Sequence, residues 1–153
     1  MEISVTTDID FITKCILANF DWLTDDGDTD PDLYFPPFGD HISWIKVGEF
    51  GVFLFERKNF VTFECHTALL PISRGKAVDI GKQALQWAWD NTPALRIITS
   101  VPETNPLALR MAQKSGFVQY GLNINSFCKN GKLYDQTLLG INKINKENIC
   151  QPS

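Results

Sequence analysis

The chain has 153 residues, enough for one compact domain of ordinary size and too few for two. Its composition, with 44% hydrophobic and 21% charged residues, is that of an ordinary globular protein. Its apolar runs are much shorter than the roughly 18 residues of a membrane-spanning helix, and its N-terminus has no secretion signal, so we expect a cytoplasmic location. A net charge of −4 disfavours binding to nucleic acid or to an anionic membrane.

The first half of the chain predicts a strand, a helix and an antiparallel meander. Thr7 and Asp8 cap a helix whose apolar residues recur on one stripe. Aspartates crowd the next loop, which we expect to be solvated because their spacing does not match a calcium-binding loop. The predicted elements are a strand over 2–6, a helix over 9–20, an acidic loop over 21–32 and three strands over 42–47, 50–57 and 60–70.

The second half predicts helices that alternate with strands, and a final hairpin. Asn105 caps a helix with Pro106 at its first position and Gly116 as its stop. The Asn130-Gly131 pair is typical of a two-residue hairpin turn. The predicted elements are helices over 77–91 and from 106 to the stop, strands over 95–101, 117–129 and 132–141, and a loose polar tail over 142–153.

The junction between the third meander strand and the helix at Ala77 is a candidate anion site. The first turn of a helix presents free N–H groups and the positive end of the helix dipole, which suit a phosphate. Gly75 allows close approach to the backbone, and Arg74 and Lys76 add positive charge. The sequence therefore favours a pyrophosphate at this loop.

This junction resembles the central motif of the GNAT superfamily of acyl-CoA-dependent N-acyltransferases, in which R-G-x-G-x-G/A opens a helix. Arg74 and Gly75 match the motif, and Pro71 lies where the preceding strand ends. The chain departs from it at Ala77, where glycine is usual, and at Asp79, where glycine or alanine is usual. A carboxylate beside a pyrophosphate is unfavourable unless it points away.

A second block, N-x-x-A-x-x-M-A-x-x-x-G-F over 105–117, is similar to the family's N-x-x-A-x-x-L-Y-x-x-x-G-F. The resemblance covers residues 2 to about 141. It implies one GNAT-like domain over 1–141, of class α/β (α+β), with a twisted, mostly antiparallel sheet flanked by helices and a tail over 142–153. It also implies an enzyme that moves the acetyl group of acetyl-CoA to an amine by direct attack.

The resemblance implies that a short set of residues holds acetyl-CoA. Backbone groups around Leu69 and Leu70, at the end of the third meander strand, would bind the pantetheine of acetyl-CoA as an added strand does. The set is Leu69, Leu70, Arg74, Gly75, Lys76, Ala77 and Asn105. We expect no metal and four free thiols, because the cysteines and histidines have no metal-binding spacing.

Glu64 and His66 are the candidate catalytic residues, because residues two apart on a strand project from the same face. Either can accept the proton that an ammonium loses before it attacks. The alternative is a cross-strand pair on a solvated sheet face. Ala112 stands where the family has a tyrosine that protonates the leaving thiolate, which leaves water, Ser115 or Tyr120 for that role.

The expected acceptor is a small-molecule or peptide amine. The acidic loop after Trp22 lies where family members shape the acceptor site, and its charge suits a cationic amine. Trp44, Trp87 and Trp89 are candidates either for the walls of that site or for the core.

A narrower resemblance favours a different class of function. The E-x-H sequence at 64–66, with Leu70-Pro71 and the R-G-K loop, is similar to GNAT-like proteins of tailed bacteriophages, some of which are head-assembly or virion components. The alternative function is therefore a non-catalytic bacteriophage protein of the virion or host cytoplasm. A homodimer is a further arrangement that the sequence leaves open.

Overall fold

The computed structural model describes residues 1–144; most of the expected tail, and Cys150, lie outside them. Seven strands form one sheet. They are β1 (Ile3–Val5), β2 (Ile42–Val47), β3 (Gly51–Arg57), β4 (Thr62–Leu69), β5 (Arg96–Pro102), β6 (Val118–Lys129) and β7 (Lys132–Asn142). Their order in the sheet is β1-β2-β3-β4-β5-β7-β6, and every neighbouring pair is antiparallel except β4 and β5. The predicted fold class is confirmed.

The helices are α1 (Ile9–Leu17), α2 (Phe20–Leu23), α3 (Ala77–Asn91) and α4 (Pro106–Lys114). Asp8 caps α1 by accepting a hydrogen bond from the N–H of Phe11 at 3.1 Å. Asn105 caps α4 in the same way, through the N–H of Ala108 at 3.3 Å. Both caps lie where the sequence predicts them.

The sheet separates two apolar layers. On one face, α1 buries Ile12 and Cys15 against Trp44, Leu54 and Ala68. On the other face, α3 and α4 cover a larger core that includes Phe53, Phe55, Cys65, Ile97 and Leu139. Because side chains alternate along a strand, the even-numbered residues of β4 point to the α1 face and the odd-numbered residues to the α3 face.

The parallel pair in the centre of the sheet separates after three residue pairs, the last of which joins Glu64 to Ile98. Beyond that point β3 still pairs with β4, and β7 with β5, so each strand keeps only its outer neighbour. One side-chain bond crosses the start of the gap, from Thr99 Oγ1 to the carbonyl of Cys65 at 3.0 Å. The sheet is therefore split at its middle, toward the ends of β4 and β5.

The helix predicted over 9–20 is in fact two helices, α1 and the short α2. Asn19 separates them, and its side-chain amide donates to the carbonyls of Cys15 at 2.9 Å and Leu69 at 2.8 Å. The first bond ends α1, and the second ties the break to the end of β4. Within residues 1–144, no helix is long and apolar enough to span a membrane.

Candidate active site

A cleft of about 320 Å³ runs through the split in the sheet. Glu64 and His66 line it on the α1 face, together with Trp22 and Leu23 of α2. Residues of α3 and α4, and the residue that follows α4, line it on the opposite face; they are Gly81, Leu85, Ala108, Met111, Ala112 and Ser115. The cleft therefore connects the two faces, so that two molecules can meet in it from opposite sides.

Glu64 and His66 form a hydrogen-bonded pair in this cleft. The Nε2 atom of His66 lies 3.0 Å from Oε1 of Glu64, and Lys58 Nζ lies 3.7 Å from the other carboxylate oxygen. The bond to His66 is the main cause that lowers the pKa of Glu64, with a smaller contribution from Lys58. Because Nε2 faces the carboxylate, Nδ1 of the neutral imidazole is the atom left to accept a proton.

The loop between β4 and α3 has the features of an anion site. Gly75 has a positive φ of 83°, and a side chain added there would meet no atom within 4 Å. Arg74 is exposed, and no side chain caps the first turn of α3, whereas α1 and α4 are both capped. Asp79 points away along the helix, because its carboxylate accepts a bond from Gln83 at 2.9 Å. Its charge is therefore compatible with a phosphate at the loop.

Lys76 makes a different contact from the one expected of a phosphate ligand. Its ammonium lies 5.0 Å from the centre of the Phe50 ring, a cation–π contact across the base of the loop. Ala77 follows as the first residue of α3, so its N–H belongs to the uncapped turn. Arg74, Gly75 and the N–H groups of that turn are thus the groups most open to an anion.

The end of β4 offers backbone groups to the gap. Leu70 donates its N–H to the carbonyl of Phe50, and its own carbonyl accepts from Ser73. The carbonyl of Leu69 accepts from Asn19. Because even-numbered residues of β4 bond β3, Thr67 and Leu69 turn their N–H groups toward the gap. Of the two residues expected to bind pantetheine, Leu69 has the backbone group facing the gap, and Thr67, which the sequence did not single out, adds another.

The wall formed by α4 has a buried hydroxyl but no tyrosine. Asn105 lines the cleft while its side-chain oxygen caps the helix, so its amide NH₂ remains to donate. Ser115 is 8% exposed, and its Oγ has no hydrogen-bond partner. Tyr120 lies outside the cleft lining, on β6, where its ring stacks 5.1 Å from the guanidinium of Arg96. Of the two side chains considered for the missing acid, the fold brings only Ser115 to the cleft.

The candidate tryptophans belong to the core. Trp44 is 4% exposed and donates its indole N–H to the carbonyl of Pro37, and Trp87 stacks on Phe55 at 6.2 Å. Trp89 packs against the same core cluster as Trp87. Trp22, which is 48% exposed, lines the cleft instead, as does Phe127 of β6.

The cysteines in the described part of the chain are not activated nucleophiles. Cys65 lines the cleft, but burial raises its pKa to about 12. Burial likewise raises the pKa of Cys15 to about 11, and a hydrogen bond to Asp26 raises that of Cys128. Among residues 1–144, no cluster of three or more acidic, histidine or cysteine side chains is arranged to hold a metal.

The chain matches no protein-family model, and no curated protein sequence is significantly similar to it. Its fold is similar to that of solved spermidine N-acetyltransferases. A chimera of the Vibrio cholerae enzyme and hSSAT has a TM-score of 0.73 and 18% identity over 93% of this chain and 96% of that one. The Vibrio cholerae enzyme in complex with CoA and spermine has a TM-score of 0.67 and 15% identity over 92% of this chain and 94% of that one. The chain therefore has the fold of the GNAT N-acetyltransferases.

Proposed function

We propose that the protein is an N-acetyltransferase that moves the acetyl group of acetyl-CoA directly to a cationic amine. The observation that carries the proposal is the cleft through the split sheet, with the Glu64–His66 pair on one face and the uncapped α3 loop at the end of β4. A donor bound along the split from the α3 face and an amine bound from the α1 face would meet inside the sheet. Location in the cytoplasm stays a prediction.

Acetyl-CoA fits the groups that this part of the chain presents. Its phosphates suit Gly75, Arg74 and the first turn of α3, where an oxygen can accept several N–H bonds at once. Its pantetheine suits the N–H groups of Thr67 and Leu69 and the amide of Asn105. When bound, it supplies a thioester carbonyl as the electrophile.

His66 is the proposed base and Glu64 its positioning residue. An amine is protonated near neutral pH and must lose a proton before its nitrogen can attack a carbonyl. Nδ1 of His66 accepts that proton, and the Glu64 carboxylate stabilises the imidazolium that results. A C–N bond forms and the C–S bond breaks, and the sulfur leaves with the electron pair. The second proton that the nitrogen loses goes to this thiolate, so that CoA leaves as a thiol and the product is an amide. Cys65 takes no covalent part, because burial keeps it in the thiol form.

A cationic acceptor is supported by the acidic residues that follow Trp22 and Leu23, two residues that line the cleft. The acidic loop that follows Trp22 carries Asp25, Asp26, Asp28, Asp30 and Asp32. Negative charge at the mouth of a cleft raises the local concentration of a cation. Linear polyamines and simple primary amines are therefore the first acceptors to test, with peptides that bear a free amino group as a second class.

The alternative function, a non-catalytic bacteriophage virion or head-assembly protein, has no observation in its favour. Such a protein would not need an open cleft with a hydrogen-bonded Glu–His pair at its centre. No observation favours a phage particle as the partner either. A homodimer remains compatible with the proposed reaction.

Calorimetric titration with acetyl-CoA tests the proposal. We expect wild-type binding in the micromolar range and a loss of affinity of about tenfold or more in Arg74→Glu, which places a negative charge at the loop. The matched control is Lys14→Glu, the same charge change on the exposed side of α1, which should bind as the wild type does. No heat at millimolar acetyl-CoA would contradict the proposed function.

A further inference from the structure

The acidic loop is tied to the tip of the β6–β7 hairpin, about 100 residues away in the sequence. The Asp26 carboxylate accepts from the N–H of Asn130 at 2.8 Å and from the N–H of Gly131 at 2.9 Å. Its own N–H donates to the carbonyl of Cys128 at 2.9 Å, and the Cys128 thiol lies 3.4 Å from the carboxylate. The N–H groups of Gly131 and Asn130 lower the pKa of Asp26, because they bond the charged form of its carboxylate.

Lys129, on the same hairpin tip, binds the stretch of chain just before Asp26. Its ammonium donates to the carbonyl of Asp21, within α2, at 2.8 Å and to that of Thr24, which follows α2, at 2.7 Å. Hydrogen bonds from a charged donor are stronger than neutral ones. Asp26 of the loop thus bonds the hairpin tip, and Lys129 of the hairpin tip bonds the chain around α2. We call this set of contacts the latch.

Polar contacts, more than packing, hold the loop against the hairpin. A hollow of about 410 Å³ lies between them. Its lining is mostly polar and consists of Phe20, Asp21, Thr24, Asp25, Asp26, Asp28, Thr29, Lys129 and Asn130. Because the contacts around this hollow are mainly hydrogen bonds, we expect the loop to loosen when the side-chain bonds of the latch are lost.

The latch lies directly beside the wall of the cleft. In the structure α2 occupies the start of the predicted 21–32 loop, and its residues Trp22 and Leu23 line the cleft. Phe127 precedes the bonded hairpin tip and lines the cleft from β6. Trp22 and Leu23 are 48% and 38% exposed, so packing alone does not fix them. The bonds of Lys129 to the carbonyls of Asp21 and Thr24 bracket these two residues in the chain.

We propose that Asp26 and Lys129 are positioning residues, which fix Trp22, Leu23 and Phe127 as the two sides of the amine-binding half of the cleft. The inference rests on the proposed function, because it assigns the α1-side opening to the acceptor. It requires that the latch affect the amine and not acetyl-CoA, which enters from the α3 side.

The test combines a structural readout with a kinetic one. Asp26→Ala removes the carboxylate, and Lys129→Met removes the ammonium at nearly constant length. Asp28→Ala is the matched control, because it removes the same charge from the same loop and no side-chain bond ties Asp28 to the hairpin within the described chain. Hydrogen exchange of the Asn130 and Gly131 amides reports on the latch, and the KM for the amine, with calorimetry of acetyl-CoA, reports on the cleft.

We expect Asp26→Ala to speed exchange at both amides about tenfold. The same variant and Lys129→Met should raise the KM for the amine about tenfold with unchanged acetyl-CoA affinity. Lys129→Arg, which keeps a charged donor, should leave the KM near the wild-type value. Asp28→Ala measures the effect of losing one loop charge without a latch bond, and we expect it to raise the KM less than threefold.

Faster exchange with an unchanged amine KM would overturn the positioning role, and so would an equal rise in KM for Asp28→Ala. Unchanged exchange in Asp26→Ala would overturn the latch itself. A wild-type protein that binds no acetyl-CoA would instead contradict the proposed function, and the positioning role with it, while the exchange rates would still decide whether the latch exists.

Discussion

At the scale of single residues, the proposed reaction depends on two roles, His66 as the base and Glu64 as the residue that positions it. We expect His66→Ala to lower kcat by about 10²–10³, the usual contribution of a positioned base, with little change in acetyl-CoA affinity. Glu64→Gln should cost less, about tenfold, because the imidazole keeps a hydrogen-bond partner and loses only the charge that stabilises its protonated form. Steady-state rates at a saturating amine concentration measure the kcat of both variants.

Glu56 supplies the matched control for this pair. It lies directly opposite Glu64 on β3 and contacts the same Lys58, at 3.4 Å, but the described contacts do not join it to His66. Glu56→Gln should therefore leave kcat within about twofold of the wild type. Unchanged turnover in His66→Ala would contradict the assignment of the base, and a larger loss in Glu64→Gln than in His66→Ala would transfer that role to Glu64.

The sequence predicts the Glu64–His66 pair because alternation along one strand is a local property. The sequence does not show which tryptophans lie in the core and which line the cleft. Trp87 lies in the core because α3 lies on Phe55, and Trp22 lies at the cleft because Lys129 holds α2 from the far end of the chain. Both positions depend on long-range contacts, and a spacing pattern carries no information about those.

At the scale of elements, α3 and α4 pack through Gly81 and Ser115. A side chain added at Gly81 would place its Cβ 2.9 Å from Ser115 Oγ and 3.2 Å from Met111 Cε. We expect Gly81→Ala to lower the free energy of unfolding by about 1 kcal/mol, because overpacking outweighs the better helix propensity of alanine. In a Ser115→Ala background the same change should become neutral or stabilising, since the nearest atom is gone.

A double-mutant cycle by urea unfolding measures this coupling. Ser115→Ala alone should cost little, because it removes a buried hydroxyl that has no hydrogen-bond partner. Strictly additive effects of the two changes would contradict the packing described here. The same variants also show whether the Ser115 hydroxyl contributes to turnover, since the cleft lies next to it.

Elements with local signals agree well with their predicted bounds. The caps at Asp8 and Asn105, the stop at Gly116 and the Asn130-Gly131 turn all rely on neighbouring residues. The break between α1 and α2 has no such signal, because Asn19 gains its second partner, the carbonyl of Leu69, only after the chain has folded. The predicted helix over 9–20 was wrong for that reason.

At the scale of the whole molecule, the sheet is split at the parallel pair of β4 and β5, and the cleft passes through it. The order of elements predicts the mixed sheet, because two helices alternate with strands after a meander. The length of the β4–β5 pairing does not follow from the sequence pattern. The cleft itself is therefore visible only in the folded chain.

The proposed direct transfer requires both reactants in the cleft together, and burial holds Cys65, which lines it, as a thiol. Initial rates of amine acetylation, with acetyl-CoA and the amine varied together, test this claim most directly. We predict double-reciprocal lines that intersect, and an acetylated amine as the product. Parallel lines, which indicate an acetylated enzyme intermediate, or no acetylated amine from any cationic acceptor, would contradict it.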